Sequence, residues 1–156
     1  MNDKTSKQIV FDTQLSWLSD KKGRLTAPEV DSSLIVATPK EFGGEGNDWS
    51  PEHLLLGAVS SCFMTTYLSF MQKFRCSILQ LECPVDGKVE LVDGRYKFTE
   101  INVYPKIVIA GEADLEKANL AMEKAHKYCL VGNSLNAAIY YHGQVTVAAE
   151  SPVVNL

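Results

Sequence analysis

Four cysteines, at positions 62, 76, 83 and 129, and three histidines, at 53, 126 and 142, hold most of the nucleophilic and ligating chemistry open to this chain. A cysteine attacks or ligates as its thiolate, so its surroundings decide whether it is reactive or merely packed. Cys62 and Cys129 stand apart because each falls on an apolar face of a segment that reads as a helix. Cysteine is also among the most buried residue types and packs as a small hydrophobe, and spacing alone does not say whether the two meet. Cys62 lies well inside its helix, out of reach of the positive N-terminal end, and an apolar surround raises a thiol's pKa. A reactive thiolate there needs a cation. The suppliers are Arg24, Lys21 and Lys22, on a turn that could fold over it, since the other arginines are Arg75 and Arg95.

Glu52 precedes Cys62 by ten residues, which along one unbroken helix is about 15 Å and a different face. The two cannot touch within one chain, so a joint role requires Glu52 from a second subunit. The plainer role for Glu52 is a first-turn carboxylate beside the helix dipole. The histidines and cysteines do not fall in close pairs such as Cys-x-x-Cys, which speaks against a structural zinc site. Cys76 and Cys83 read as structural or incidental. No Gly-rich phosphate loop followed by Lys-Ser or Lys-Thr and no Gly-x-Ser-x-Gly elbow occurs, so nucleotide and serine-hydrolase chemistry have no support.

The elements that must position these residues follow from pattern. Ser50 is an N-cap residue, Pro51 suits the first helical position, and the run from Leu54 to Met64 is apolar or small on nearly every side. This predicts a central helix reaching about Phe74, buried all round, with Cys62 deep in a core. Before it, Gln8 to Leu18 alternates like a half-buried strand, Asp20 to Arg24 forms a turn with Gly23 taking positive φ, and Leu34 to Ala37 makes a short buried strand. Thr38 to Trp49 is a glycine-rich loop. After it, Ile78 to Leu81 is extended, and Asp93-Gly94 joins strands Val85 to Val92 and Arg95 to Ala110, with Pro105 marking an edge or bulge. Asp114 is placed to cap a second helix from Leu115 to about Cys129, with Leu115, Ala118, Met122, Ala125 and Cys129 in one stripe. A connection from Leu130 to Asn136 leads to a closing strand, Gln144 to Glu150.

A chain of 156 residues with 46% hydrophobic content predicts one α+β domain spanning residues 1–156, its two helices packed on antiparallel sheets. A net charge of −4 without a long basic run disfavours nucleic-acid and anionic-membrane partners. The N-terminal residues lack the apolar core of a signal peptide, and no segment is expected to span a bilayer, which together predict a cytoplasmic protein. Disulfide staples are rare in that compartment, so catalytic, redox or buried thiols are expected.

Thr38-Pro-Lys-Glu-Phe-Gly-Gly44, Ser50-Pro-Glu-His-Leu-Leu-Leu-Gly-Ala-Val-Ser-Ser-Cys62 and Ala125-His-Lys-Tyr-Cys129 resemble the OsmC/Ohr family of thiol peroxidases. The resemblance extends over nearly the whole chain and implies an OsmC-like fold, antiparallel sheets wrapped around two central helices in an intertwined homodimer. It implies reduction of organic hydroperoxides to alcohols, with Cys62 as peroxidatic thiolate and Cys129 resolving its sulfenic acid to a disulfide. A dithiol reductant, lipoylated protein or a similar thiol, would reset the enzyme, with no metal or other cofactor. Glu52 matches the glutamate that orients an arginine of the N-terminal hairpin over the reactive cysteine. Counting back without gaps from Thr38-Pro39 puts Lys21 nearest that arginine's position, with Arg24 the alternative. Where the family commonly follows its resolving cysteine with proline and serine, this chain has Leu130 and Gly132. These departures keep a second function in view, a non-catalytic or weakly active dimer that binds an apolar ligand.

Overall fold

A computed structural model describes residues 8–149 and divides the chain between Leu54 and Leu55 into two units. The first holds a meander of three antiparallel strands, β1 (Gln14–Ser19), β2 (Lys22–Ala27) and β3 (Val30–Ala37), paired in that order. The reversal from β1 to β2 turns on Asp20, at φ +42°, and not on Gly23 as expected. Gly23 lies in β2, buried, where a Cβ would come 3.0 Å from the Leu15 Cδ1 methyl. Two further expectations change here: residues 8–13 are irregular, and β3 is exposed or half-buried along its length.

The loop after β3 is pinned before the first helix begins. Lys40–Phe42 forms a single 3-10 turn, and the Gly44 N–H donates to the Pro39 carbonyl (2.9 Å). Helix α1 (Pro51–Phe74) then starts where Ser50 and Pro51 predict. Its start is a reciprocal box: the His53 N–H donates to Ser50 Oγ (3.3 Å), while the Ser50 N–H donates back to His53 Nδ1 (3.3 Å). Two orphan donors of the first turn are thereby satisfied, with histidine in the place usually held by glutamate.

In the second unit, α1 buries one stripe, Val59, Phe63, Tyr67 and Met71, four residues apart. This corrects the expectation of a helix buried on every side, since Ser61, Met64, Thr65, Leu68 and Ser69 are exposed. It also corrects the membrane expectation: α1 is long and apolar enough to cross a bilayer by length and composition alone. Here its stripe packs into a protein core instead.

Two three-stranded sheets accompany it. One has the order β4 (Ile78–Glu82), β7 (Lys106–Ile109), β9 (Gln144–Val147); the other has β5 (Val85–Val92), β6 (Arg95–Val103), β8 (Ala138–Tyr141). The β5–β6 hairpin turns at Asp93-Gly94 as predicted, both residues taking positive φ. The long strand expected from Arg95 to Ala110 is instead two strands broken at Tyr104-Pro105, because proline has no N–H for the ladder. The chain changes sheets there, and again between β8 and β9 at His142-Gly143 and between β4 and β5 at Cys83-Pro84. The Tyr104 and His142 rings stack at 4.9 Å across two of these crossings. Strands β6 and β8 pair in parallel, as do β7 and β9, so both sheets are mixed rather than antiparallel. Strand β8 had no counterpart in the sequence pattern, and Glu150, the expected end of β9, lies outside the described residues.

Parallel pairing needs a crossover, and α2 (Leu115–Tyr128) supplies it between β7 and β8. Ala118, Ala121 and Ala125 are its fully buried residues, with Met122 and Leu115 partly buried beside them. Asp114 does not cap it by its side chain; its Oδ1 accepts the Cys76 thiol (3.3 Å). Short helix α3 (Leu130–Asn133) follows directly, with Cys129 as its N-cap.

Candidate active site

Cys129 is fully buried at the junction of α2 and α3, and Cys62 is half-buried on α1. The junction brings consecutive backbone donors to the two sulfurs: the Val131 N–H donates to Cys62 Sγ (3.5 Å) and the Gly132 N–H to Cys129 Sγ (3.4 Å). The two thiols influence each other electrostatically, and both are free. Spacing left open whether the cysteines come together; one turn of the chain, Val131-Gly132, reaches both sulfurs.

Two residues that the sequence pattern passed over complete this cluster. The hydroxyl of Tyr141, the last residue of β8, and Cys129 Sγ lie 3.0 and 3.3 Å from one point, the Cβ position of Gly132, and the Tyr141 ring packs on His126 (centroids 4.2 Å) and Phe63 (5.7 Å). Cys83, at the β4–β5 crossing, packs against the same core residues and interacts electrostatically with Cys129. Each sits at a point where the chain changes sheets. Ala138 to Tyr141 shows no apolar–polar alternation, and nothing local says that a strand there runs beside the thiols.

Burial governs the ionisation of the cluster. It pushes Cys83 up to about 11 and raises the Tyr141 phenol well above its ordinary value, where neighbouring thiols reinforce it. Cys129 is also raised, first by burial, while the Gly132 N–H and the Tyr141 hydroxyl pull the other way because both donate to the thiolate. Gly132 is crowded: a Cβ would lie 3.0 Å from the Tyr141 hydroxyl oxygen and 3.3 Å from Cys129 Sγ, tighter than ordinary contact.

The other candidates lie in the first unit. A cavity of about 330 Å³ is lined by Lys21, Lys22, Glu52, Trp17, Leu15 and Phe42 among others. Lys22 is engaged by Glu45 (2.9 Å) and Asp48 (3.1 Å), whereas Lys21 donates to the Gly43 carbonyl (3.4 Å) and forms no ion pair among the described residues. Arg24 is exposed on β2 and does not line this cavity. Glu52 Oε2 is buried there and has no hydrogen-bond partner among the described residues. Of the expected site residues, Lys21 and Glu52 therefore share one cavity and Cys62 and Cys129 share one cluster. No group of three metal-ligating side chains forms among the described residues.

The chain as a whole is similar to known proteins. An organic hydroperoxide resistance protein-like 2 of Staphylococcus epidermidis is 26% identical over 122 residues, covering 77% of this chain and 84% of its own. The uncharacterized protein YmaD of Bacillus subtilis is 24% identical over 132 residues, covering 83% of this chain and 88% of its own. Among solved structures, an OsmC-like protein of unknown function from Vibrio cholerae superposes with a TM-score of 0.77 at 16% identity, over 89% of this chain and all of its own. An organic hydroperoxide resistance protein from Elizabethkingia anophelis gives 0.71 at 17% identity, over 92% of this chain and all of its own. The family model for OsmC-like proteins matches residues 44–141, from the loop before α1 to the end of β8, and the chain belongs to that family.

Proposed function

We propose that this protein is a thiol-dependent hydroperoxide reductase acting on organic hydroperoxides. The observation that carries the reading is the pair of free thiols that receive backbone N–H groups from consecutive residues of one turn. Donors of this kind favour thiolate over thiol. The Cys62 thiolate attacks the distal peroxide oxygen, the O–O bond breaks, the alkoxide takes a proton and leaves as an alcohol, and Cys62 becomes a sulfenic acid. The Cys129 thiolate then attacks that sulfur and water leaves, which closes a Cys62–Cys129 disulfide. A dithiol, such as a lipoylated protein, returns both to thiols.

The working unit is a cytoplasmic homodimer in which the partner's hairpin and helix start complete the surroundings of Cys62. Glu52 lies about 15 Å along α1 from its own Cys62, too far to serve it directly. The exposed face of α1 is suited to burial, because the hydroxyls of Ser61, Thr65 and Ser69 all donate to carbonyls of the preceding turn. Covering that face strands no donor. Lys21 is the cation of this reading, with Glu52 its carboxylate, since Lys22 is already paired and Arg24 does not line the cavity. A lysine acts there as a point charge without the planar fork of arginine.

Intact-mass analysis after one equivalent of cumene hydroperoxide tests the reading. A Cys62–Cys129 disulfide that reverses with dithiol is expected, and Cys62→Ser should abolish turnover. An unchanged mass in the wild type would overturn the peroxidase and leave a dimeric binder of an apolar ligand.

A further inference from the structure

We propose that Tyr141 is the positioning residue of the resolving thiol: its hydroxyl donates to Cys129 Sγ, holds that sulfur toward Cys62 and stabilises the thiolate that must form there. The inference rests on the peroxidase reading and adds to it a residue outside the motifs that suggested that reading. Cys129 has to ionise in a fully buried site, where desolvation opposes the charge. Two donors answer that penalty, the Gly132 N–H and the Tyr141 hydroxyl. The backbone donor is common to any residue at 132, whereas the phenol is specific to this chain's β8.

Three features fit Tyr141 for the task. Its phenol is held protonated by burial and by the thiols around it, so it remains a donor while Cys129 titrates. Its ring is clamped between Phe63 of α1 and His126 of α2, which fixes the direction of the hydroxyl. Gly132 brings the α3 turn in closely: a Cβ there would lie 3.0 Å from the hydroxyl oxygen and 3.3 Å from the Cys129 sulfur, so the phenol oxygen and the sulfur border the same point. The titratable groups facing this point are Cys62 from α1, Cys83 from the β4–β5 crossing and Tyr141 from β8, with His126 from α2 behind the phenol. In the step itself the Cys129 thiolate bonds to the Cys62 sulfur, the S–OH bond breaks, and the hydroxide leaves as water with the proton that Cys129 gave up. Tyr141 keeps its own proton throughout.

The test compares wild type with Tyr141→Phe, which retains the ring and removes only the donor. In one arm, protein carrying Cys62→Ser and labelled with ¹³C at the cysteine Cβ is titrated by NMR; the Cys129 midpoint should rise in Tyr141→Phe. In the other, sulfenic acid trapped on Cys62 by dimedone and the disulfide are timed after cumene hydroperoxide. Sulfenic acid should form at an unchanged rate, while disulfide closure slows by about tenfold and its pH profile moves upward, the size expected for a lost hydrogen bond to a charged group. An unmoved midpoint together with unchanged closure overturns the assignment while leaving the peroxidase intact. Absence of sulfenic acid in the wild type overturns the peroxidase, and with it the part of Tyr141 in resolution, even where the midpoint moves. Should Tyr141→Phe fail to fold, 3-fluorotyrosine at 141, a more acidic donor, must lower the midpoint and speed closure; no change would overturn the proposal.

Discussion

At the scale of single residues, small changes around the thiol pair carry the largest consequences. A Cβ on Gly132 would crowd the Tyr141 hydroxyl (3.0 Å) and Cys129 Sγ (3.3 Å), which would have to give by a few tenths of an ångström. Gly132→Ala should cost about 1–3 kcal/mol, as overpacking does, and should slow disulfide closure by displacing the donor turn. Denaturant melts and timed thiol trapping check the two effects separately, and an unperturbed variant would mean that the turn yields more than its contacts suggest. Cys129→Ser should leave the first oxidation intact but let Cys62 sulfenic acid accumulate, visible as a dimedone adduct. Rapid turnover without Cys129 would remove it from the reaction.

At the scale of elements, α1 depends on its start. Ser50 is almost fully buried and takes part in a two-way exchange with His53, so Ser50→Ala loses the acceptor for a first-turn N–H. A loss of about 1 kcal/mol is expected, read as a lower melting temperature. The two sheets depend on their crossings. Pro105 is fully buried and its carbonyl accepts the Gln144 N–H (2.8 Å), so the residue that breaks one strand also anchors the next. Pattern reading had made a single strand of Arg95 to Ala110 because the hydrophobic alternation runs on across the break. The missing N–H of proline, rather than any change in polarity, moves the chain to the other sheet.

For the whole molecule, two predictions follow from exposure and ionisation. If a second copy covers the open face of α1, Leu68→Glu places a charge in that interface and should yield monomers in sedimentation equilibrium; a dimer unaffected by the change would place the interface elsewhere. The second concerns alkali. Cys83, Cys129 and Tyr141 all have folded-state pKa values raised by burial, so each contributes stability that is fully present below its unfolded pKa and lost as pH rises through its folded one. For Cys83 the window runs from the ordinary thiol value of 9.0 to about 11. The melting temperature should hold steady to about pH 9 and fall beyond it, with Cys83→Ala removing part of the slope.

What the sequence determined by itself was local and periodic. The start and end of α1, the Asp93-Gly94 hairpin, the α2 stripe and the motif around Cys62 follow from caps, turn residues and spacing, which act within a few residues of one another. The Gly23 turn and the Asp114 cap failed because strand packing and a thiol partner from the far end of α1 claimed those residues instead. Only the tertiary structure decided that one turn reaches both Cys62 and Cys129, that one face of α1 is exposed, and that Tyr141 and Cys83 lie near the thiols. These are meetings between residues tens of positions apart, created where the chain crosses from one sheet to the other. Local pattern holds no record of such crossings, because they are set by the close-packed fit of the helices and sheets that bury them.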